Sequence, residues 1–455
     1  MGWVIAGNAP IIGAARRGRR YAACAPKTMT FRRRHRILRI GFSIASAQAD
    51  ARTPILLPTP SPTTNWPAVS AAIACGVVAA AYVGKLPPAI PLLRAEFGLS
   101  LIAAGWVNST FNTLAVTTAV FFGALAGRVG ALRCCAAGLV ALMLGGLLGA
   151  AAAGASMLFA SRIVEGAGLI AIAVSAPALI AAASSPRERN LTLGLWSSYL
   201  PFGASLAMLA SPLLLGTLGW RGFWLVIVLL TCACMAALWR LRYAYSLAQK
   251  STTRTLAATF QALRQPGPWW LALGFGCYSL MFYAVMVWLP TFLVQERGAS
   301  VTAAALLTAL VVAVNACGNL LGSWLMHRSV PRGQVIGLAF VVMAACACGI
   351  FSSGLPDSLR ALLCMFYMFS GGTIPAAVLS GSHIYARDAS QISGIQGLIV
   401  QLAQLGPFFG PPLIAAVVSA QGNWGASLWV LLAAAILGTL FSQLAARAER
   451  SLLRR

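Results

Sequence analysis

The stretch CCAAGLVALMLGGLLGAAAA, residues 134–153, runs for twenty residues without a charged or amide side chain. A helix rises about 1.5 Å per residue, so about twenty apolar residues cross the hydrocarbon of a bilayer. Eleven other apolar runs have a comparable length, and together they predict twelve membrane-spanning helices. We place these spans at 67–92, 101–126, 134–153, 157–183, 191–215, 222–240, 268–294, 301–326, 334–353, 358–381, 392–419 and 426–446.

The composition agrees with an all-α membrane protein. Of the 455 residues 59% are hydrophobic and 9% are charged, whereas a soluble domain carries about 25% charged residues. This excludes a chain of soluble domains, a disordered protein and a nucleic-acid-binding protein, in spite of the net charge of +25. The partner implied by the composition is the lipid bilayer.

The placement of charge predicts how the chain crosses the membrane. With a cytoplasmic N-terminus, 27 Lys and Arg residues fall in cytoplasmic segments and four fall in outer loops. Positive charge concentrates on the cytoplasmic side of membrane proteins. We therefore predict a multi-pass protein of a bacterial-type inner membrane, with both termini inside the cell.

Polar stretches divide the chain into five predicted parts. The longest polar stretch between spans separates six spans from six, and a basic, proline-rich segment that we expect to be disordered precedes the first span. The parts are a cytoplasmic tail at 1–66, a six-helix bundle at 67–240, a cytoplasmic central loop at 241–267, a second six-helix bundle at 268–446 and a basic cytoplasmic tail at 447–455.

The two halves repeat each other in sequence. The first span ends in EFGLS, residues 96–100, and the seventh ends in ERGAS, residues 296–300. The loops after the fifth and eleventh spans read GWRG, residues 219–222, and GNWG, residues 422–425. Two duplicated six-helix halves are typical of secondary transporters, whose substrate site lies at mid-membrane between the halves.

Two motifs indicate a protein family. Residues 123–133 read GALAGRVGALR, and the fourth span carries Arg162-Ile-Val-Glu165-Gly166. They resemble the loop motif G-x-x-x-D-R-x-G-R-R and the R-x-x-Q-G pattern of the major facilitator superfamily, with Gly127 in place of the acid. Residues 93–100 and 194–197 are similar to its cyanate-permease branch. The resemblance covers about residues 67–446 and implies alternating access, with a conformational role for Gly123, Arg128, Gly130 and Arg133.

Three charged residues, Lys85, Arg162 and Glu165, lie well inside the predicted spans, away from their ends. A charge at mid-membrane costs about 2.5–3.5 kcal/mol, which makes each one a candidate functional residue. Arg162 and Glu165 are three residues apart on one helix and can pair. The pair either braces the fourth span, or Arg162 orients an anion and Glu165 takes up a proton. Lys85 either extends to the outer interface or makes a central cavity positive, which favours organic anions.

Uncharged polar residues within the spans complete the predicted substrate site. Each of them either contacts substrate or forms a hydrogen bond between helices, because a buried amide in lipid needs a partner. Those we predict to contact substrate are Asn108, Asn112, Tyr283, Asn315 and Gln401.

The sequence offers no catalytic constellation. Its three histidines, at 35, 327 and 383, lie outside the spans, and its cysteines lack the spacing of a metal site. We expect no enzyme activity, catalytic residue, metal or cofactor. We predict a monomeric, proton-coupled secondary transporter of a small molecule, an organic anion. The alternatives are proton-coupled efflux of drug-like compounds and a non-transporting sensor with a transporter fold.

Overall fold

The computed structural model describes residues 63–118, 129–249, 264–352, 354–385 and 389–453. In these ranges ten helices are long and apolar enough to cross a membrane. They are Trp66–Phe97, Ala131–Ala150, Ala155–Ala183, Tyr199–Arg240, Pro266–Arg297, Val301–His327, Arg332–Ile350, Asp357–Ser380, Ile395–Gln421 and Trp424–Leu452. The predicted multi-pass helical fold is therefore confirmed, and we keep the predicted span numbers below.

Two regions account for the difference between ten helices and twelve predicted spans. Tyr199–Arg240 covers most of the fifth span and all of the sixth, and its backbone is non-helical at Gly219, where φ is 65° and ψ is −179°. The second span begins with the helix Leu101–Thr110, but its second half includes residues 119–126, which lie outside the described ranges. The count of twelve stays a prediction.

The first span is interrupted at Lys85, between the helices Trp66–Gly84 and Leu86–Phe97. Pro87 and Pro88 cause the interruption, because proline has no backbone N–H to donate to the carbonyl four residues earlier. The carbonyls of Val83 and Gly84 therefore lose their helical partners. Lys85, the one lysine of this span, therefore lies at the junction of the two helices.

The repeat seen in the sequence is present in the backbone of both halves. Gly98 and Gly298 end the first and seventh spans with φ angles of 62° and 63°, a left-handed conformation that glycine adopts without strain. Ser100 and Ser300 then cap the next helices, each accepting a backbone N–H bond of 3.1 Å. The same residue types therefore make the same turn in each half.

In each half, a tryptophan in the connection between the fifth and sixth helices forms a hydrogen bond with the end of the first helix. Trp220 donates its indole N–H to Glu96 at 2.6 Å. Trp424 donates its indole N–H to Gln295 at 3.2 Å and its backbone N–H to Glu296 at 3.3 Å. Both halves thus tie the end of their first helix to the connection between their fifth and sixth helices.

The two halves meet mainly along two pairs of helices, with a smaller contact between Leu86–Phe97 and Pro266–Arg297. Val301–His327 packs on Tyr199–Arg240, and Leu405–Gln421 packs on Leu101–Thr110. In the second contact a Cβ atom on Gly105 would lie 2.9 Å from the Pro412 Cα atom, and Ser109 donates to the Pro407 carbonyl at 3.2 Å. All the described residues belong to one compact unit.

The predicted tails and central loop fall partly outside the described ranges. Residues 1–62 and 250–263 are not described, while Arg242–Gln249 at the start of the central loop forms a 3-10 helix. The last helix, Ser427–Leu453, continues past residue 446, where the apolar run ends. Glu449 pairs with Arg332 at 3.1 Å, which stabilises this extension into the predicted second tail.

We expect Gly166→Ala to lower the melting temperature of the purified protein. A Cβ atom at this position of the fourth span would lie 1.9 Å from the Phe111 carbonyl oxygen. Overpacking of this kind costs about 1–3 kcal/mol. The matched control is Gly194→Ala, where nothing lies within 4 Å and alanine favours the helix. Equal melting temperatures for the two variants would show that the second and fourth spans are not in close contact.

Candidate functional site

The three charged residues well inside the spans form one cluster, which we call the buried triad: Lys85, Arg162 and Glu165. The Lys85 Nζ atom lies 2.7 Å from Glu165 Oε1, and Arg162 Nη1 bonds Glu165 Oε2. All three side chains have no exposed surface. The predicted pairing of Arg162 with Glu165 is confirmed, and the alternative of a lysine that extends to the membrane interface is wrong.

The buried triad carries a net charge of +1 when its three groups are ionised. Desolvation makes a buried ion pair costly unless its geometry and hydrogen bonds are good. Here both carboxylate oxygens have a cationic partner, and Arg162 Nη1 also donates to the Tyr82 carbonyl at 3.1 Å. One positive charge remains without a counter-charge from the triad.

Glycines give the carboxylate its place between the helices. A Cβ atom on Gly145 of the third span would lie 2.6 Å from Glu165 Cγ. Gly166, the next residue after Glu165, is where the fourth span contacts the Phe111 carbonyl of the second span. Because Gly145 and Gly166 have no side chain, the second, third and fourth spans can pack closely around Glu165.

Several buried donors near the triad have no protein acceptor. Within the described part of the chain, Arg162 Nε, Arg162 Nη2 and Asn108 Nδ2 lack hydrogen-bond partners. A buried polar group without a partner costs about 1–3 kcal/mol. Asn108 lies one helical turn before Phe111, whose ring is 4.4 Å from Arg162 Cζ. An acceptor oxygen that reached these donors would relieve the cost.

Two aromatic residues that the sequence analysis did not single out surround Lys85. Its Nζ atom lies 4.1 Å from the centroid of the Tyr82 ring and 4.4 Å from that of the Trp224 ring. The spacing of Tyr82 and Lys85, three apart on one helix, could have revealed the first contact. Trp224 comes from the sixth span, and its contact depends on the tertiary packing.

The predicted residues of the second half lie in separate surroundings. Asn315 donates to the Tyr278 hydroxyl at 3.1 Å and to the Met368 carbonyl at 2.8 Å, which braces helices of that half. Gln401 donates to the Val116 carbonyl at 3.0 Å, across the contact between the eleventh and second spans. Tyr283 is buried.

The structure thus brings together Lys85, Arg162 and Glu165, with Asn108 and Asn112 buried on the nearby second span.

Half of the loop motif can be described. Gly123 and Arg128 lie outside the described residues. Gly130 has a φ of 95° and precedes the third span, and Arg133 is exposed one turn into it. Among the described residues no group of histidine, cysteine and acidic side chains could hold a metal ion.

The sequence and the fold are similar to those of known transporters. A 2-nitroimidazole transporter of Escherichia coli (strain K12) is 28% identical over 300 residues, which cover 64% of this chain and 73% of the relative. A probable small intestine urate exporter of Homo sapiens is 24% identical over 328 residues, 66% of either chain. A bacterial homolog of the human lysosomal transporter Spinster, solved inward-facing and unoccupied, superposes with a TM-score of 0.67 at 16% identity, covering 85% of this chain and 97% of that one.

The predicted family is confirmed by a match between this chain and the sequence model of the family. The sequence model of the Major Facilitator Superfamily matches residues 68–404, from the first span into the eleventh. The match includes every residue of the buried triad. The chain is a multi-pass membrane protein that belongs to the Major Facilitator Superfamily.

Proposed function

We propose that this protein is a secondary transporter that carries a small organic anion across the membrane by alternating access, coupled to protons. The observation that carries the proposal is the surplus positive charge of the buried triad beside the unpartnered donors of Arg162. A guanidinium with free N–H groups binds carboxylates well, because its planar fork matches two carboxylate oxygens.

The low dielectric of the site strengthens this attraction. Two unit charges at about 4 Å attract by about 4 kcal/mol at an effective dielectric of about 20, compared with about 1 kcal/mol in water. Lys85 and Arg162 have no exposed surface, so their charges are poorly screened by solvent. An organic anion would gain more from this site than a neutral molecule of the same shape.

Glu165 is the candidate for proton coupling. Its carboxylate forms ion pairs with both cations of the triad, so an incoming anion competes with it for Lys85 and Arg162. A proton on Glu165 would remove the competing charge and leave two cations for the anion. Proton binding and anion binding would then strengthen each other by the same factor.

The proposal includes the membrane topology. We infer twelve spans in two bundles of six, with the substrate site between them and both termini in the cytoplasm. The break at Gly219 supports a fifth and a sixth span within Tyr199–Arg240. We propose that the protein acts as a monomer in the inner membrane of a bacterial cell. The urate exporter supports an anionic substrate, since urate is an organic anion.

Efflux of drug-like compounds is the second candidate function. It is favoured by the relative that transports 2-nitroimidazole, a small heteroaromatic compound. The rings of Tyr82, Phe111 and Trp224 around the triad would also suit an aromatic molecule. A test of the proposal must therefore separate charge from aromatic character.

We expect benzoate to raise the melting temperature of the purified, detergent-solubilised protein, and benzamide to leave it unchanged. The two compounds have nearly the same shape and differ in charge. At a concentration of 100 times its dissociation constant, a ligand adds about 2.7 kcal/mol to the native state. Urate serves as a second anion and tetraphenylphosphonium as a lipophilic cation.

The test variant is Lys85→Met, and its matched control is Arg221→Met. Lys85 belongs to the triad, whereas Arg221 pairs with Glu96 at 2.7 Å in a much more exposed place. At a fixed benzoate concentration, Lys85→Met should strongly reduce the benzoate shift and Arg221→Met should keep it. Stabilisation by benzamide or tetraphenylphosphonium, without a response to either anion, would support efflux and contradict the proposal.

A further inference from the structure

Lys85 is held by more than its ion pair. Its ammonium group has three N–H bonds, and Glu165 Oε1 accepts one of them at 2.7 Å. The ring faces of Tyr82 and Trp224 lie at 4.1 Å and 4.4 Å from the same nitrogen. Both distances are within the range of cation–π attraction. The lysine thus has one charged partner and two uncharged ones.

Both rings are fixed by the sixth span. The Tyr82 hydroxyl is hydrogen-bonded to Thr231 Oγ1 at 3.1 Å, and Thr231 in turn donates to the Ile227 carbonyl at 2.8 Å. Trp224 is completely buried, with the Trp220 ring packed edge-on at 5.5 Å. Neither ring can rotate away without breaking these contacts. We therefore expect the ring faces to remain in place whether or not Glu165 bonds the lysine.

We propose that Tyr82 and Trp224 are positioning residues that hold the Lys85 ammonium in the site while Glu165 is neutral and the anion is bound. This inference rests on the proposed function. A neutral Glu165 no longer attracts the lysine, but the ring faces still do. Because the rings carry no net charge, they stabilise the ammonium without cancelling its attraction for the anion. A second carboxylate in their place would cancel it.

The test compares a variant that removes a ring with one that keeps it. Benzoate affinity, measured by thermal shift with full-length protein, should fall about thirty-fold in Trp224→Leu, since a desolvated cation–π contact is worth about 2 kcal/mol. Trp224→Phe keeps a ring face and should stay within about fivefold of wild type. Tyr82→Leu and Tyr82→Phe repeat the comparison on the other ring.

A double-mutant cycle separates positioning of Lys85 from general packing. In the Lys85→Met background, Trp224→Leu should have no further effect on the residual benzoate affinity, because the group that it positions is gone. If Trp224→Leu does not fold, the Tyr82 pair decides the question with the same cycle.

Two results would overturn the inference, and they can be told apart. Equal losses in the leucine and phenylalanine variants, or a full additional loss in the Lys85→Met background, would mean that the rings act by packing alone while anion transport stands. Failure of the wild-type protein to bind benzoate and urate would instead overturn the proposed function, and the inference with it.

Discussion

Replacing Arg162 with methionine is expected to weaken anion binding at least a hundredfold. The change takes the net charge of the buried triad from +1 to zero and removes the donors Nε and Nη2, which have no protein acceptor. A hydrogen bond to a charged group is worth about 1.5–3 kcal/mol, so the loss of two corresponds to at least a hundredfold in affinity. Benzoate titrations of the wild-type and variant proteins measure it.

The stability of this variant should also fall. Breaking a buried ion pair costs about 3–5 kcal/mol when one charge is left alone. Here Glu165 keeps Lys85 at 2.7 Å, so we expect a loss at the lower end of that range. Arg162→Lys restores the charge but not the planar guanidinium that can bind two carboxylate oxygens, and it should recover part of the affinity. Wild-type benzoate affinity in Arg162→Met would contradict the assignment of Arg162 to the substrate site.

Replacing Glu165 with glutamine is expected to uncouple transport from the pH gradient. Glutamine resembles the protonated acid, so both cations stay available to the anion at every pH. In reconstituted vesicles, exchange of labelled for unlabelled urate should continue, while accumulation against a gradient should stop. With one proton per anion, wild type would accumulate about tenfold per pH unit, because one unit equals about 1.36 kcal/mol.

Glu96→Gln is the matched control for this experiment. Glu96 is also paired with an arginine, Arg221, but lies near the end of the first span and is much more exposed. It should accumulate urate as wild type does. Unchanged accumulation in Glu165→Gln would remove Glu165 from proton coupling and would leave its role as a brace for Lys85 and Arg162.

The sequence predicts the fold of this protein well because the bilayer imposes one simple requirement. Each span must contain about twenty apolar residues, and such runs can be recognised without tertiary information. Where the helices begin and end depends on local chemistry that can also be read, such as Gly98 and Ser100 at the end of the first span. The break at Gly219 separates two predicted spans in a helix that is otherwise continuous.

The candidate site could be predicted only in part. Arg162 and Glu165 lie on one helix, so their spacing alone predicts the pair. Lys85 joins them from the first span, and that contact depends on how the first and fourth spans pack against each other. Asn315 has the same residue type as Asn108, but it bonds a tyrosine hydroxyl and a carbonyl within the second half. Sequence alone cannot separate these two asparagines.

The most direct test of the account is uptake of labelled urate, whose polar acid form crosses a lipid bilayer only slowly, by vesicles that contain the wild-type protein, with the vesicle interior more alkaline than the medium. The account predicts accumulation that collapses when a protonophore removes the pH gradient, and that is absent in vesicles with Arg162→Met. Uptake that is the same with and without the gradient, or the same in the Arg162→Met vesicles, would contradict proton-coupled transport of an anion through the buried triad.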